Sequence, residues 1–246
     1  MEKKTDVDTI RATDIISELQ ALSNPEKAVH LSRFFKTGKG EYGEGDLFMG
    51  ITVPAQRAVA KKYQQAGPDA LESLITSPYH EQRLTALLIL TCKYEKAKDP
   101  RIRKGCIDFY TSHTAYINNW DLVDLSCYKL LGPWLEDKDR CLLYDWAICD
   151  DLWKQRIAIV TCMHFVRKGD FRDCLAIADL LLHHKHDLIH KAVGWLLRET
   201  GKKDRTVLTA FLHSRYQIMP RTMLRYAIEH FSEDERKRYL NNQVCD

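Results

Sequence analysis

The 246-residue sequence is poor in chain breakers, with 11 Gly and 7 Pro. It also lacks the period-2 alternation of half-buried strands, which argues against a β-rich fold. No apolar run approaches the roughly 18 residues a membrane span requires. The opening "MEKKTDVDTIRATD" is polar, without the apolar core of a secretory signal. The eight cysteines (92, 106, 127, 141, 149, 162, 174, 245) include no C-x-x-C pair. Most lie among apolar residues at helical spacing, which fits buried thiols in a reducing compartment better than zinc or a disulfide framework. No Walker motif and no H-E-x-x-H is present. "GKGEYG" (38–43) has the G-x-G-x-x-G spacing, but no strand leads into it. Glu41, Glu44 and Asp46 in and beside it repel phosphate, so it reads as an ordered loop between helices. His186 and His190 are four apart with no evident third ligand, and no metal is expected there. These readings describe a soluble cytoplasmic protein without a cofactor.

What is present is helical periodicity nearly everywhere. It predicts helices over 6–22, 25–36, 54–66, 68–76, 79–95, 100–114, 119–131, 138–149, 152–168, 170–184, 187–200, 204–213, 220–230 and 233–241. Asn24 before Pro25 is an N-cap with Pro at N1, and Gly169 and Gly201 read as C-terminal stops. Five segments resemble one another: "EQRLTALLIL", "NNWDLVDLSC", "WKQRIAIVTC", "LIHKAVGWLL" and "PRTMLRYAIE". Each leads with polar residues into an apolar helix, at a spacing of roughly 35, as in helical-hairpin repeats. The expectation is one all-α domain over 1–246, a HEAT-like solenoid with a curved, basic concave face. A plain helical bundle is the alternative. Arg83, Arg156, Lys191 and Arg225 recur near one place in their units and are expected on one face.

Charge is unevenly placed. Residues 1–150 carry 20 Lys+Arg against 22 Asp+Glu, whereas 151–246 carry 17 against 12 and seven of the ten His. A basic C-terminal half suits a polyanion. "INNWDLVDLS" (117–126) puts Trp120 and Asp124 four apart, on one face of a helix. Asp124 lies between Val123 and Leu125, where a carboxylate is either paired or functional. Trp195 holds a comparable place two units later, with Arg156 between them in "WKQR". Gathered in one cleft, two aromatics and a carboxylate suit a cation, and a basic rim suits phosphates.

"NPEKA" (24–28), "GEGDLFMGITVP" (43–54), "WDLVD" (120–124), "LWKQRIAIV" (152–160) and "KAVGWLLRE" (191–199) together resemble the AlkD-type DNA alkylation-repair glycosylases, over nearly the whole chain. The resemblance implies excision of cationic N3- and N7-alkylated purines from double-stranded DNA, by hydrolysis of the N-glycosidic bond and without base flipping. It implies Asp124 as the catalytic carboxylate and Trp120 and Trp195 as walls against lesion and sugar. Arg156, Arg198 and Lys191 are then expected at the DNA backbone. A monomer without an obligate protein partner is expected. Phe34 stands where some members have Tyr, and Thr52 where some have Gln. The competing readings are a non-catalytic DNA-binding repeat protein and a protein scaffold.

Overall fold

The computed structural model describes residues 10–244. Residues 6–9 of the first expected helix, and Cys245, lie outside them. The described residues form sixteen α-helices and one 3-10 turn, with no strand and an isolated parallel bridge between Leu47 and Tyr79. The all-α expectation therefore holds. The chain falls into two compact units, divided between Ser126 and Cys127.

The first unit contains α1 (Ala12–Ala21), α2 (Pro25–Phe34), α3 (Val53–Lys62), α4 (Pro68–Ile75), α5 (His80–Lys96), α6 (Pro100–Ser112) and α7 (Trp120–Asp124). The starts of α2, α3, α4 and α6 carry the expected local signals, whereas α1 begins at Ala12, later than expected. Asn24 Oδ1 accepts from the Lys27 amide at 2.9 Å, Asp99 accepts from Arg101, and Pro stands in the first turn of α2, α3, α4 and α6. The central helix is α5, buried without interruption from His80 to Thr91 and packed against α3, α4, α6 and α7. A helix enclosed all round is an interior helix. Its first four residues, His80, Glu81, Gln82 and Arg83, are polar and yet buried. The nonhelical stretch 35–52 wraps this end and contributes Phe35, Phe48, Met49 and Ile51 to the core.

The second unit contains α8 (Cys127–Trp134), α9 (Cys141–Ile148), α10 (Leu152–Thr161), α11 (Met163–Arg167), α12 (Arg172–Leu180), α13 (Asp187–Lys203), α14 (Arg205–His213), α15 (Arg221–Ala227) and α16 (Glu233–Leu240). Here α13 is central, packed against α10, α11, α12, α14 and α15. At Gly194 a Cβ would come within 2.5 Å of the Met223 carbonyl and the Tyr226 Cβ, so glycine permits the close approach of α15. Gly201 does not stop the helix, which continues to Lys203. A Cβ there would lie 2.3 Å from Leu208 Cδ2, so its role is contact with α14. The expected helix 119–131 breaks at Leu125 and Ser126, where the serine hydroxyl donates to the Leu122 carbonyl and competes with the backbone ladder. Of the seven described cysteines, Cys106, Cys127, Cys162 and Cys174 are buried, Cys92 and Cys149 half-buried, and Cys141 exposed. Burial raises the Cys162 and Cys174 thiols, the latter to about 12, which makes them poor nucleophiles.

Candidate functional site

Each residue of the Asn118–Asp124 run has its own task. Asn118 Oδ1 accepts from Arg83 at 3.2 Å. Asn119, fully buried, caps α7 by accepting the Trp120 amide at 2.9 Å. Leu122 and Val123 are core. Asp121 turns inward, and its Oδ2 lies 2.9 Å from His80 Nε2. Trp120 and Asp124 are half-buried at opposite ends of the single turn. The Trp120 indole lies nearly parallel to Phe35 at 5.1 Å, with Phe34 edge-on at 5.9 Å.

Beneath α7 lies an ionic network that sequence reasoning missed. His80 stacks on Phe48 (4.7 Å), packs tilted against Phe35 (4.9 Å) and bridges two carboxylates, Asp121 and, at 3.4 Å, Asp46. Arg83 pairs with Asp46 at 2.7 Å and donates to the Ser77 carbonyl at 2.9 Å. All four are more than nine-tenths buried. Burial alone would push the His80 imidazole down, but Asp121 and then Asp46 outweigh it, and its pKa is raised to about 9. Burial would push Asp46 up, but His80 and Arg83 hold its carboxyl below the usual range. His80 is therefore an imidazolium at neutral pH, and α7 is anchored through Asp121 to a charged, rigid base. Arg83 is accordingly a core residue and does not share an exposed face with other cations.

Glu81 is a third buried carboxylate of this unit. It accepts the backbone amides of Met49 (2.9 Å), Gly50 (2.8 Å) and Ile51 (3.2 Å), and so fixes the end of the 35–52 loop. Gly50 sits there at φ +81°, and a Cβ would lie 2.0 Å from the Asn24 carbonyl, so only glycine fits. The "GKGEYG" segment behaves as an ordered loop. Glu41 and Glu44 accept the amides of Gly38 and Gly40, while Asp46 belongs to the buried network. The only sequence signal for that network was an Asp inside "GDLFMG", too apolar a setting for a solvated carboxylate.

The remaining expected site residues lie in the second unit. Arg156, on α10, is 5% exposed and donates Nη1 to the Leu188 carbonyl in the first turn of α13. Helix α13 carries Lys191, Trp195 and Arg198 within two turns. Trp195 is half-buried. Lys191 pairs with Asp187 at 2.6 Å and is 40% exposed. Arg198 is ion-paired to Glu229 and lies 3.5 Å from Glu199, so much of its charge is spent within the protein. The histidines before α13 serve the backbone. His184 Nδ1 accepts the His186 amide and His186 Nδ1 the Leu188 amide, each ring then facing burial that lowers its pKa. Among the described residues no cluster of three or more His, Cys, Asp or Glu could hold a metal ion, and no helix is long and apolar enough to cross a membrane.

The sequence model of the DNA alkylation repair enzyme family matches residues 15–231. No curated protein is significantly similar to the chain. Among solved structures, one described as a "predicted DNA alkylation repair enzyme from Enterococcus faecalis" superposes with a TM-score of 0.67 at 17% identity. The match covers 86% of this chain and 97% of that one. At this identity the likeness speaks to the helical fold alone.

Proposed function

This chain belongs to the DNA alkylation repair enzyme family, and from that premise we propose that it is a DNA glycosylase for cationic N3- and N7-alkylated purines such as 3-methyladenine and 7-methylguanine. The observation that carries the reading is the α7 turn. It displays Trp120 and Asp124 together while every residue between them is buried and Asp121 ties the turn to His80.

Alkylation at N3 or N7 gives the base a positive charge and makes it a good leaving group without strong general-acid help. As the bond to C1′ breaks, the deoxyribose gains oxocarbenium character. A fixed carboxylate lowers the energy of that charge and positions the attacking water, as in glycoside hydrolysis with one carboxylate in place of two. Asp124 takes this role. The Trp120 face adds cation–π attraction for the same charge. Rigidity matters because an electrostatic stabiliser contributes most when it need not reorganise during the reaction. Trp195 is assigned to lesion and sugar contact, and Arg156, Lys191 and Arg198 to backbone phosphates. Of these cations, Lys191 is the most exposed and Arg198 the most neutralised. The enzyme acts on the base within the duplex, as a cytoplasmic monomer without a cofactor.

Single-turnover release of 7-methylguanine from methylated duplex DNA tests this. Asp124→Asn keeps size and hydrogen-bonding reach but removes the charge. Excision should fall by about two to three decades, with melting temperature and duplex binding unchanged. A stable Asp124→Asn protein with wild-type excision ends the reading. A wild type that binds duplex and releases nothing is a non-catalytic DNA-binding protein.

A further inference from the structure

Helix α7 is a single turn, five residues from Trp120 to Asp124. One turn of helix fixes many dihedrals for few hydrogen bonds and does not hold itself. The groups beneath it therefore set where its side chains point. Leu122 and Val123 fill the core and decide which side of the turn faces inward. Apolar burial is non-directional, so it leaves tilt and rotation to bonds that have a direction. Asp121 supplies one from within the turn. Its Oδ1 accepts the Leu122 amide at 2.9 Å, and its Oδ2 lies 2.9 Å from His80 Nε2. One carboxylate thus grips its own turn and the start of α5 together. Asn118, just ahead of the turn, ends on the same base. Its Oδ1 accepts from Arg83 at 3.2 Å, and its Nδ2 donates to Asp46 at 3.4 Å.

His80 is the member of this base that faces both carboxylates, Asp121 through Nε2 and Asp46 through Nδ1. Only the imidazolium carries a proton on each nitrogen. A neutral ring or an amide in its place would leave one buried carboxylate facing a lone pair or nothing. Phe48, stacked on the ring, and Phe35, tilted against it, keep the imidazole from turning away. Phe35 also carries the Trp120 indole at 5.1 Å. His80 therefore supports the turn beneath Asp121 and, through Phe35, the packing of Trp120. It is 2% exposed and cannot itself reach DNA.

We propose that His80 is a positioning residue for excision: it holds Asp121, and through Asp121 the α7 turn, in the orientation that sets Asp124 and the Trp120 face on the same lesion. This role rests on the glycosylase reading and extends its machinery to a buried ring in another helix.

The test is single-turnover release of 7-methylguanine from methylated duplex by wild type, His80→Gln, Asp121→Asn and the double variant, all well below their melting temperatures. Duplex affinity is measured on the same preparations. Each single variant should slow excision at saturating enzyme by about ten- to a hundredfold, since misplacing a reacting group by about 1 Å costs on that order. Duplex affinity should not change. The double variant should lose little more than the slower single one, because partners in one hydrogen-bonded unit are not additive. Arg140→Ala is the comparison for stability alone: it loosens the second unit and should excise at the wild-type rate. If His80→Gln fails to fold, Asp121→Asn decides alone against Arg140→Ala. Wild-type rates in the folded variants, slowing no greater than that of Arg140→Ala, or losses that simply add overturn the positioning role and leave the glycosylase. A wild type that releases nothing ends the glycosylase reading and this role with it.

Discussion

The two units are built on the same plan, one 17-residue central helix ringed by shorter ones, yet they bury charge differently. In the first unit the ions lie at the start of the central helix: His80 and Arg83 on α5 meet Asp46 from the loop, His80 also meets Asp121 from α7, and Glu81 holds the amides of the loop. In the second, the densest ion cluster lies away from α13. Arg140 packs over the Phe165 ring at 3.7 Å and pairs with Asp170 and Asp173, and Tyr144 donates to Asp173 at 2.6 Å. That cluster ties α9 to α12 and their loops. Overall charge follows the same division. Residues 1–126 carry 17 Lys+Arg against 17 Asp+Glu, and 127–246 carry 20 against 17 with seven His. Charge is spent in the first unit to fix one turn and in the second, around the buried Asp173, to join helices.

The largest expected effect follows from breaking the first network. Arg83→Ala leaves Asp46 buried without its guanidinium, and should cost about 3–5 kcal/mol. Chemical denaturation measures this, and hydrogen exchange should place the loss in the first unit. Arg140→Ala is the matching cut in the second. Asp173 keeps Tyr144 and Arg172, so the cost should be smaller, about 1–3 kcal/mol. Equal losses would remove the contrast.

A pH series sharpens it further. The folded His80 pKa is raised to about 9, above the unfolded value of about 6.5. Its stabilisation is therefore fully present below about pH 6.5 and is lost as pH rises through about 9. Wild-type melting temperature should fall across that window, and His80→Gln should flatten the curve. His184 and His186 of the second unit should add nothing there, since burial lowers both.

Lys191→Ala should weaken binding to every duplex by a similar factor and reduce the salt dependence of affinity by about one counterion. Arg156→Ala is the poorer probe, because Arg156 also holds the Leu188 carbonyl. The smallest effect is that of chelation. With His184 and His186 occupied by backbone amides, EDTA should change neither excision nor melting temperature.

Helix identity was almost entirely legible in the chain, because periodicity, N-caps and prolines act over a few residues. Trp120 and Asp124 were legible for the same reason: four residues apart is a local relation, and it survives in α7. Gly201 was misread because glycine both stops helices and permits close packing, and only the position of Leu208 distinguishes the two.

The sequence by itself determined an all-helical chain and the Trp120–Asp124 pair on one turn. Tertiary structure alone decided the rest. Asp46, His80 and Asp121 are separated by 34 and 41 residues, and no local pattern announces that they will share one proton-bearing ring. Nor does the sequence say that Arg83, polar at a helix start, becomes core while Lys191 stays exposed. The physical reason is that burial and pairing are set by what folds over a side chain. A charged residue reads the same in sequence whether water or a carboxylate will surround it.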